Sequence, residues 1–274
     1  MTDSRPLALV TGASSGIGAA YARALAVRGY DLALVARRRE RLEALGNDLR
    51  DQAGAQCTIL AADLTDEAEL QVVENYIARA LNLDFLVNNA GFGNTGRFFE
   101  APLQGQDTMH RLHVMATMHL THAALKGMAA RGKGAVVNVS SVAAFVPRPG
   151  GTGYYATKAW MNCFTEGLYL ELKNARSPVR VQALCPGFTV TEFHDVMGMD
   201  RGIVPNGWWM SAEDVVQASL KGLEANKLFV VPGWRYKALV WALRVLPRAL
   251  IHLAVLKGPA SVRRDARSAP DRTG

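Results

Sequence analysis

Short apolar runs alternate with longer stretches of helical spacing along most of the chain. The runs are Leu7–Val10, Asp31–Ala36, Cys57–Leu64, Asp84–Val87, Ala135–Val139, Val179–Leu184 and Leu228–Val231. Each is nearly continuous in apolar character, which is how a strand covered on both faces reads. Between them, apolar positions recur at helical spacing over Ala19–Val27, Asp66 to about Leu81, Gln104–Ala130, Tyr154–Lys173 and Ser211 to about Asn226. Ser211-Ala212-Glu213-Asp214 is a helix cap and start. Regular strand–helix alternation predicts an α/β fold built on one doubly wound parallel sheet. The pattern places residues 1–232 in a single domain and leaves 233–274 as an extension.

The segment after the first run carries the first chemistry. Thr11-Gly12-Ala13-Ser14-Ser15-Gly16-Ile17-Gly18 leads directly into the first helical stretch. Missing Cβ atoms let backbone approach a pyrophosphate, and the helix start offers free N–H groups and the positive dipole end. The spacing Gly-x-x-x-Gly-x-Gly differs from the commoner Gly-x-Gly-x-x-Gly, but its place after the first strand supports a dinucleotide cradle. A cofactor with a free ribose 2′-hydroxyl usually meets an acid at the end of the second strand. Here that strand ends in Ala36, followed by Arg37-Arg38-Arg39. Guanidinium groups hold phosphate by charge and paired donors. The expected cofactor is NADP(H), with Arg37 the leading contact and Arg38 the second.

A second site lies further along. Tyr154 and Lys158 stand four apart on one helix face, which brings an ammonium beside a phenol. A positive neighbour is expected to lower the phenol's pKa into a range useful for proton transfer. Ser141 follows the fifth run, at the carboxyl end of its strand, where open α/β sheets place their sites. Two adjacent pairs, Ser140/Ser141 and Tyr154/Tyr155, need resolving. Only Tyr154 stands four before Lys158, whereas the choice of Ser141, thirteen residues before Tyr154, rests on a family resemblance.

Composition refines this picture. The chain has 274 residues, 49% of them hydrophobic, enough for a substantial core. Cys57, Cys163 and Cys185 are scattered without metal-like spacing and read as reduced thiols, which with the short first apolar run suggests a cytoplasmic protein. From Pro232 onward nine Lys or Arg face only Asp265 and Asp271, which accounts for the whole net charge of +7. Residues 1–231 hold 22 charges of each sign, so the basic character is no argument for nucleic-acid binding by the body.

With the glycine turn, Asn88-Asn89-Ala90-Gly91, Ser141 and Tyr154/Lys158 in this order, residues 5–232 resemble the short-chain dehydrogenase/reductase family. The resemblance implies a Rossmann-like fold and hydride transfer between a nicotinamide and a carbonyl or alcohol. By position it implies that Gly12, Ser14, Ser15, Gly16, Ile17 and Gly18 line the pyrophosphate. Asp63 and Leu64 would meet the adenine, and Asn88, Ala90 and Gly91 the adenosine ribose side. Ser141 would hold the substrate oxygen, Tyr154 would act as acid/base, and Lys158 would bind the nicotinamide ribose. Pro186, Gly187, Thr189 and Thr191 match the family's Pro-Gly-x-x-x-Thr segment at the nicotinamide end. The family habit is a homodimer or homotetramer. His113 stands where the family usually has an asparagine that helps hold a relay water. It either keeps that proton relay in altered form, slows turnover, or caps polar groups inside its helix. The intact Ser/Tyr/Lys set favours an enzyme over a nucleotide-binding sensor or scaffold.

The resemblance implies that the stretch 188–210 is the variable substrate lid. Phe193, Met197, Met199, Trp208, Trp209 and Met210 suit a bulky apolar carbonyl or alcohol, with Phe92, Phe98 and Phe99 as an opposite wall. Trp234–Lys257 is apolar but carries Arg244, Pro247, Arg248 and His252, which argues against a spanning helix. Lys237, Arg244, Arg248 and His252 share one stripe, broken by Pro247 into two helices. Docking on an anionic membrane, packing on a second subunit and covering the cleft are the competing uses. Disorder is expected after Gly258.

Overall fold

In the computed structural model residues 5–193, 202 and 204–257 are described. Seven strands form one sheet in the order β3-β2-β1-β4-β5-β6-β7. They are β1 Leu7–Thr11, β2 Asp31–Ala36, β3 Cys57–Ala61, β4 Leu83–Asn88, β5 Ala135–Val139, β6 Arg180–Leu184 and β7 Phe229–Val230. Every neighbouring pair is parallel. The order turns between β1 and β4, and a doubly wound sheet opens its binding crevice at that point.

Helices cover both faces. Helices α1 (Gly16–Val27) and α2 (Arg39–Ala53) pack on one side together with Val215, Val216 and Leu220 of a later helix, Ala212–Glu224. On the other side lie α3 (Glu67–Arg79), α5 (Thr117–Arg131) and part of α6 (Thr152–Asn174). Strand β1 shows the sorting: Ala8 and Val10 join the first layer, Leu7 and Leu9 the second, as a period of two demands. The helix Ala212–Glu224, α7, starts where expected, with the Ser211 hydroxyl accepting from the Asp214 N–H.

Several boundaries differ from expectation for identifiable reasons. Strand β3 stops at Ala61 rather than Leu64, because the Asp63 carboxylate turns back to accept from the Thr65 N–H and hydroxyl. Asp66 then caps α3 through the Glu69 N–H. The expected single helix Gln104–Ala130 is interrupted. It runs as α4, Leu103–His110, then a π-helical turn over Arg111–Ala116, then α5. The wide turn holds the fully buried His113 ring. A π-turn of this kind often marks a functional position.

Behind β7 come α8 (Trp234–Val245) and α9 (Arg248–Lys257), parted at Pro247 as its missing N–H requires. Among the described residues, no helix is long and apolar enough to cross a membrane. Met197, Met199 and the segment after Lys257, where disorder was expected, lie outside the described residues.

Candidate active site

At the crevice, the turn after β1 is clamped from beneath by its neighbour β4. The Thr11 hydroxyl accepts from the Asn89 and Ala90 N–H groups and donates to the Val87 carbonyl. The Asn89 amide donates to the carbonyls of Thr11 and Gly12, at 3.0 and 3.3 Å. Gly12 and Gly16 have φ of +65° and +55°, a region that glycine enters without strain. A Cβ on Gly12 would stand 2.9 Å from the Ala90 backbone. The cradle is therefore a bare-backbone surface at the start of α1.

Gly18 serves another purpose. It does not line the crevice, and a Cβ there would overlap the Gly12 carbonyl, which is backbone and cannot move aside alone. Gly18 lets α1 approach the turn, which gives it a packing role. Gly18→Ala is expected to cost about 3 kcal/mol, read from urea unfolding midpoints. Gly167→Ala, mid-helix with open space around it, should be neutral or stabilising by up to about 1 kcal/mol.

The crevice continues to the carboxyl end of β5. Ser141 caps a 3₁₀ turn over Val142–Phe145, its hydroxyl accepting from the Ala143 N–H at 3.1 Å. It also makes a side-chain hydrogen bond with Tyr154. Ser140 faces the other way, buried, and donates to the Lys158 carbonyl at 3.0 Å. Ser141 thus stands beside the phenol, whereas Ser140 ties down α6. Lys158 is buried, its Nζ donating to the Val139 carbonyl at 2.8 Å and lying 5.8 Å from the Tyr154 ring centre.

The electrostatics depart from expectation. Burial pushes the Tyr154 phenol up to about 12, against the opposing hydrogen bond with Ser141. Burial also pulls the Lys158 ammonium down to about 8. Desolvation outweighs the hydrogen bond that favours a phenolate, so the expectation of a lowered Tyr154 pKa is reversed. At neutral pH Tyr154 holds its proton and stands as a donor.

His113 is close to this site without lining it. The Phe92 N–H donates to its Nε2 at 3.2 Å, so Nδ1 carries the proton and donates to the Thr157 hydroxyl at 2.9 Å. Thr157 in turn donates to the Tyr154 carbonyl at 3.0 Å. Burial first, then Lys158, hold the imidazole's pKa well below its usual value. Both ring nitrogens are occupied by protein, which favours the reading in which His113 satisfies polar groups of the chain. The direct contact is to the fold beneath Tyr154.

These elements line one cleft of about 700 Å³. It brings together Gly12, Ser14, Ser15, Gly16, Ile17, Arg37, Arg38, Asp63, Leu64, Ala90 and Gly91 at one end. Ser141, Tyr154, Lys158, Pro186, Gly187, Thr189 and Thr191 stand towards the other. Asn88 is not among them: its buried amide donates to Thr121 and Asn138 inside the core, and Asn89 lines the cleft instead. Phe92, Phe193 and Trp208 line it as expected, whereas Phe98 and Phe99 are exposed away from it. No pattern in the chain pointed to Glu192, which binds Arg38 at 3.0 Å and Arg41 at 2.6 Å. Nor did any point to Tyr236 of α8. That ring fills the space a Cβ on Gly187 would need, accepts from the Phe188 N–H and donates to the Trp208 carbonyl. Leu239 lines the cleft beside it, so α8 covers one wall.

Residues 6–201 match the short chain dehydrogenase family. A very-long-chain 3-oxoacyl-CoA reductase of Anas platyrhynchos is 29% identical over 262 residues, spanning 93% of this chain and 80% of that protein. A short-chain dehydrogenase from Sphingobium yanoikuyae, solved in complex with NADPH, superposes with a TM-score of 0.80 at 36% identity, covering 97% of this chain and 98% of the other. The bulky-bulky ketone specific alcohol dehydrogenase from Comamonas testosteroni gives a TM-score of 0.76 at 32% identity, covering 97% and 99%. The chain belongs to the short chain dehydrogenases and is an oxidoreductase that moves a hydride between a nicotinamide cofactor and a carbonyl or alcohol carbon.

Proposed function

We propose that this enzyme uses NADP(H) and interconverts bulky apolar ketones and their secondary alcohols. The observation that carries the cofactor choice is the end of β2. No acid stands there to meet a ribose 2′-hydroxyl, and Arg37 and Arg38 line the cleft in its place. Arg38 already donates to the Ser14 and Ser15 hydroxyls and holds the Glu192 carboxylate together with Arg41. Arg37 turns towards Asp63, 3.9 Å away. We therefore give Arg38 the leading phosphate contact and Arg37 the second, reversing the order expected from position alone. The relative solved with NADPH has the same fold at 36% identity.

The nicotinamide supplies or accepts the hydride; the chain supplies the rest. Gly12, Ser14, Gly16 and Ile17 present backbone to the pyrophosphate, Asp63 and Leu64 flank the adenine, and Ala90 and Gly91 face the adenosine ribose. Lys158 holds the nicotinamide ribose, while Pro186, Gly187, Thr189 and Thr191 shape the nicotinamide pocket. Ser141 donates to the substrate oxygen, and Tyr154, protonated at neutral pH, gives that oxygen its proton. Val142, Val146, Phe188, Phe193, Trp208 and Leu239 surround this point with apolar surface, which suits a bulky substrate without charge. The Comamonas testosteroni relative, specific for bulky-bulky ketones, supports that class. Pairing of subunits through α5 and α6 is the expected assembly.

Calorimetric titration tests the cofactor. NADPH should bind at least tenfold more tightly than NADH, and Arg38→Ala should remove most of that preference while leaving NADH affinity within about threefold. Equal affinity for the two cofactors in the wild-type protein would sink the assignment.

A further inference from the structure

The positive charge that the sequence gathers behind Pro232 falls on α8 and α9, and α8 has two apolar faces. Tyr236 and Val240 are buried against the body, and Leu239 reaches the cleft. Trp234, Ala238, Trp241 and Val245 follow the spacing i, i+4, i+7, i+11 and form a second stripe on the opposite side. Trp234 is 71% exposed, Trp241 67% and Val245 58%. Leu246, just before Pro247, and Leu250 and Leu253 past it add further exposed apolar surface. Exposed apolar side chains gathered in this way mark an interaction surface.

The flanking charges choose its partner. From Pro232 to Lys257 there are Arg235, Lys237, Arg244, Arg248 and Lys257, and no Asp or Glu. Arg244 lies over the rings of Phe145 and Phe229, and Arg235 donates to the Gly207 carbonyl. Lys237, Arg248 and Lys257 remain, and no acid within the segment answers them. A second copy docking the same face across a two-fold axis would set this charge against itself. An anionic lipid surface accommodates both features. Tryptophan rings sit at headgroup depth, and lysine and arginine stems reach back to the phosphates. We propose that the outer face of α8 and α9 docks this enzyme on anionic lipid. The same helix lines the cleft with its inner face, so docking would bring the cleft close to the lipid surface.

The test is co-sedimentation of the full chain with vesicles of phosphatidylcholine containing about 30% phosphatidylglycerol, against pure phosphatidylcholine. Wild type should bind the anionic vesicles at least tenfold more tightly, and the binding should weaken as salt is raised. The double substitutions Trp234→Ser/Trp241→Ser and Lys237→Glu/Arg248→Glu should each weaken it at least tenfold. Both should keep the wild-type melting temperature and turnover of a water-soluble ketone. Absence of vesicle binding overturns the proposal. So does unchanged binding by the tryptophan variant, which would assign the binding to the basic residues beyond Lys257. A tryptophan variant that loses subunits in light scattering, from a wild type that ignores vesicles, assigns the face to a second copy. Vesicle binding is read without turnover, so its failure and a failure of the hydride-transfer reading are separate results.

Discussion

Tyr154→Phe is expected to lower kcat on an apolar ketone by about 10³-fold, within the range found for loss of a positioned proton donor. The phenol meets Ser141 and lines the cleft while holding its proton at neutral pH. The ring itself should stay in place in the variant. It packs against His113, Tyr155 and Phe193 with centroid separations of 5.9, 6.1 and 6.0 Å, none of which needs the hydroxyl. Cofactor affinity should therefore change by less than about threefold, since loss of one hydroxyl leaves the cradle intact. Tyr155→Phe is the control. Tyr155 also lines the cleft, but its ring packs against Gly151 and the lysine spacing does not select it. Its kcat should stay within about threefold of wild type. Single-turnover rates under saturating cofactor read both variants, and loss confined to Tyr155→Phe would transfer the proton step to that residue.

Why these residues could be picked from the chain alone, and others could not, has a physical basis. Strands covered on both faces appear as uninterrupted apolar runs, so β1, β2 and β5 were legible nearly to the residue. The Tyr154–Lys158 relation was legible because i, i+4 geometry belongs to any helix. Side-chain direction at a strand end is harder. Asn88 and Asn89 carry identical chemistry, and only the packing of β4 against β5 and α5 decides that Asn88 faces the core. The π-helical turn depends on His113 meeting Phe92 and Thr157, residues far apart in sequence, so no local periodicity announces it. Tyr236 lies still further from its partner Gly187, and both look ordinary in their own surroundings. Position after β2 suggested Arg37 first, but Glu192 arrives from the far side of the cleft and draws Arg38 across the glycine turn.

Removing the charge of Lys158 should leave a more stable but inactive protein. The ammonium is held at about 8 against an ordinary value of 10.5, and burial is the first cause. A depression of that size corresponds to a cost of about 3 kcal/mol for keeping the charge in the folded state at neutral pH. Lys158→Met fills similar space without charge, but it strips the Val139 carbonyl of its donor, a loss of about 1–2 kcal/mol. The net expectation is a gain of about 1–2 kcal/mol in unfolding free energy at pH 7, alongside loss of turnover. The pH dependence separates this cause from better packing. Between about 8 and 10.5 the unfolded lysine holds a proton that the folded one has released, so wild-type stability rises with pH across that window. The methionine variant lacks this contribution, and other groups titrate alike in both proteins. The gap in urea midpoints should therefore be widest below about pH 8 and shrink towards pH 10.5, leaving only the cost of the unpaired carbonyl. A gap that stays constant over that range would mean that the folded lysine carries no desolvation cost. The stability given up at this position would then have to come from somewhere other than the charge.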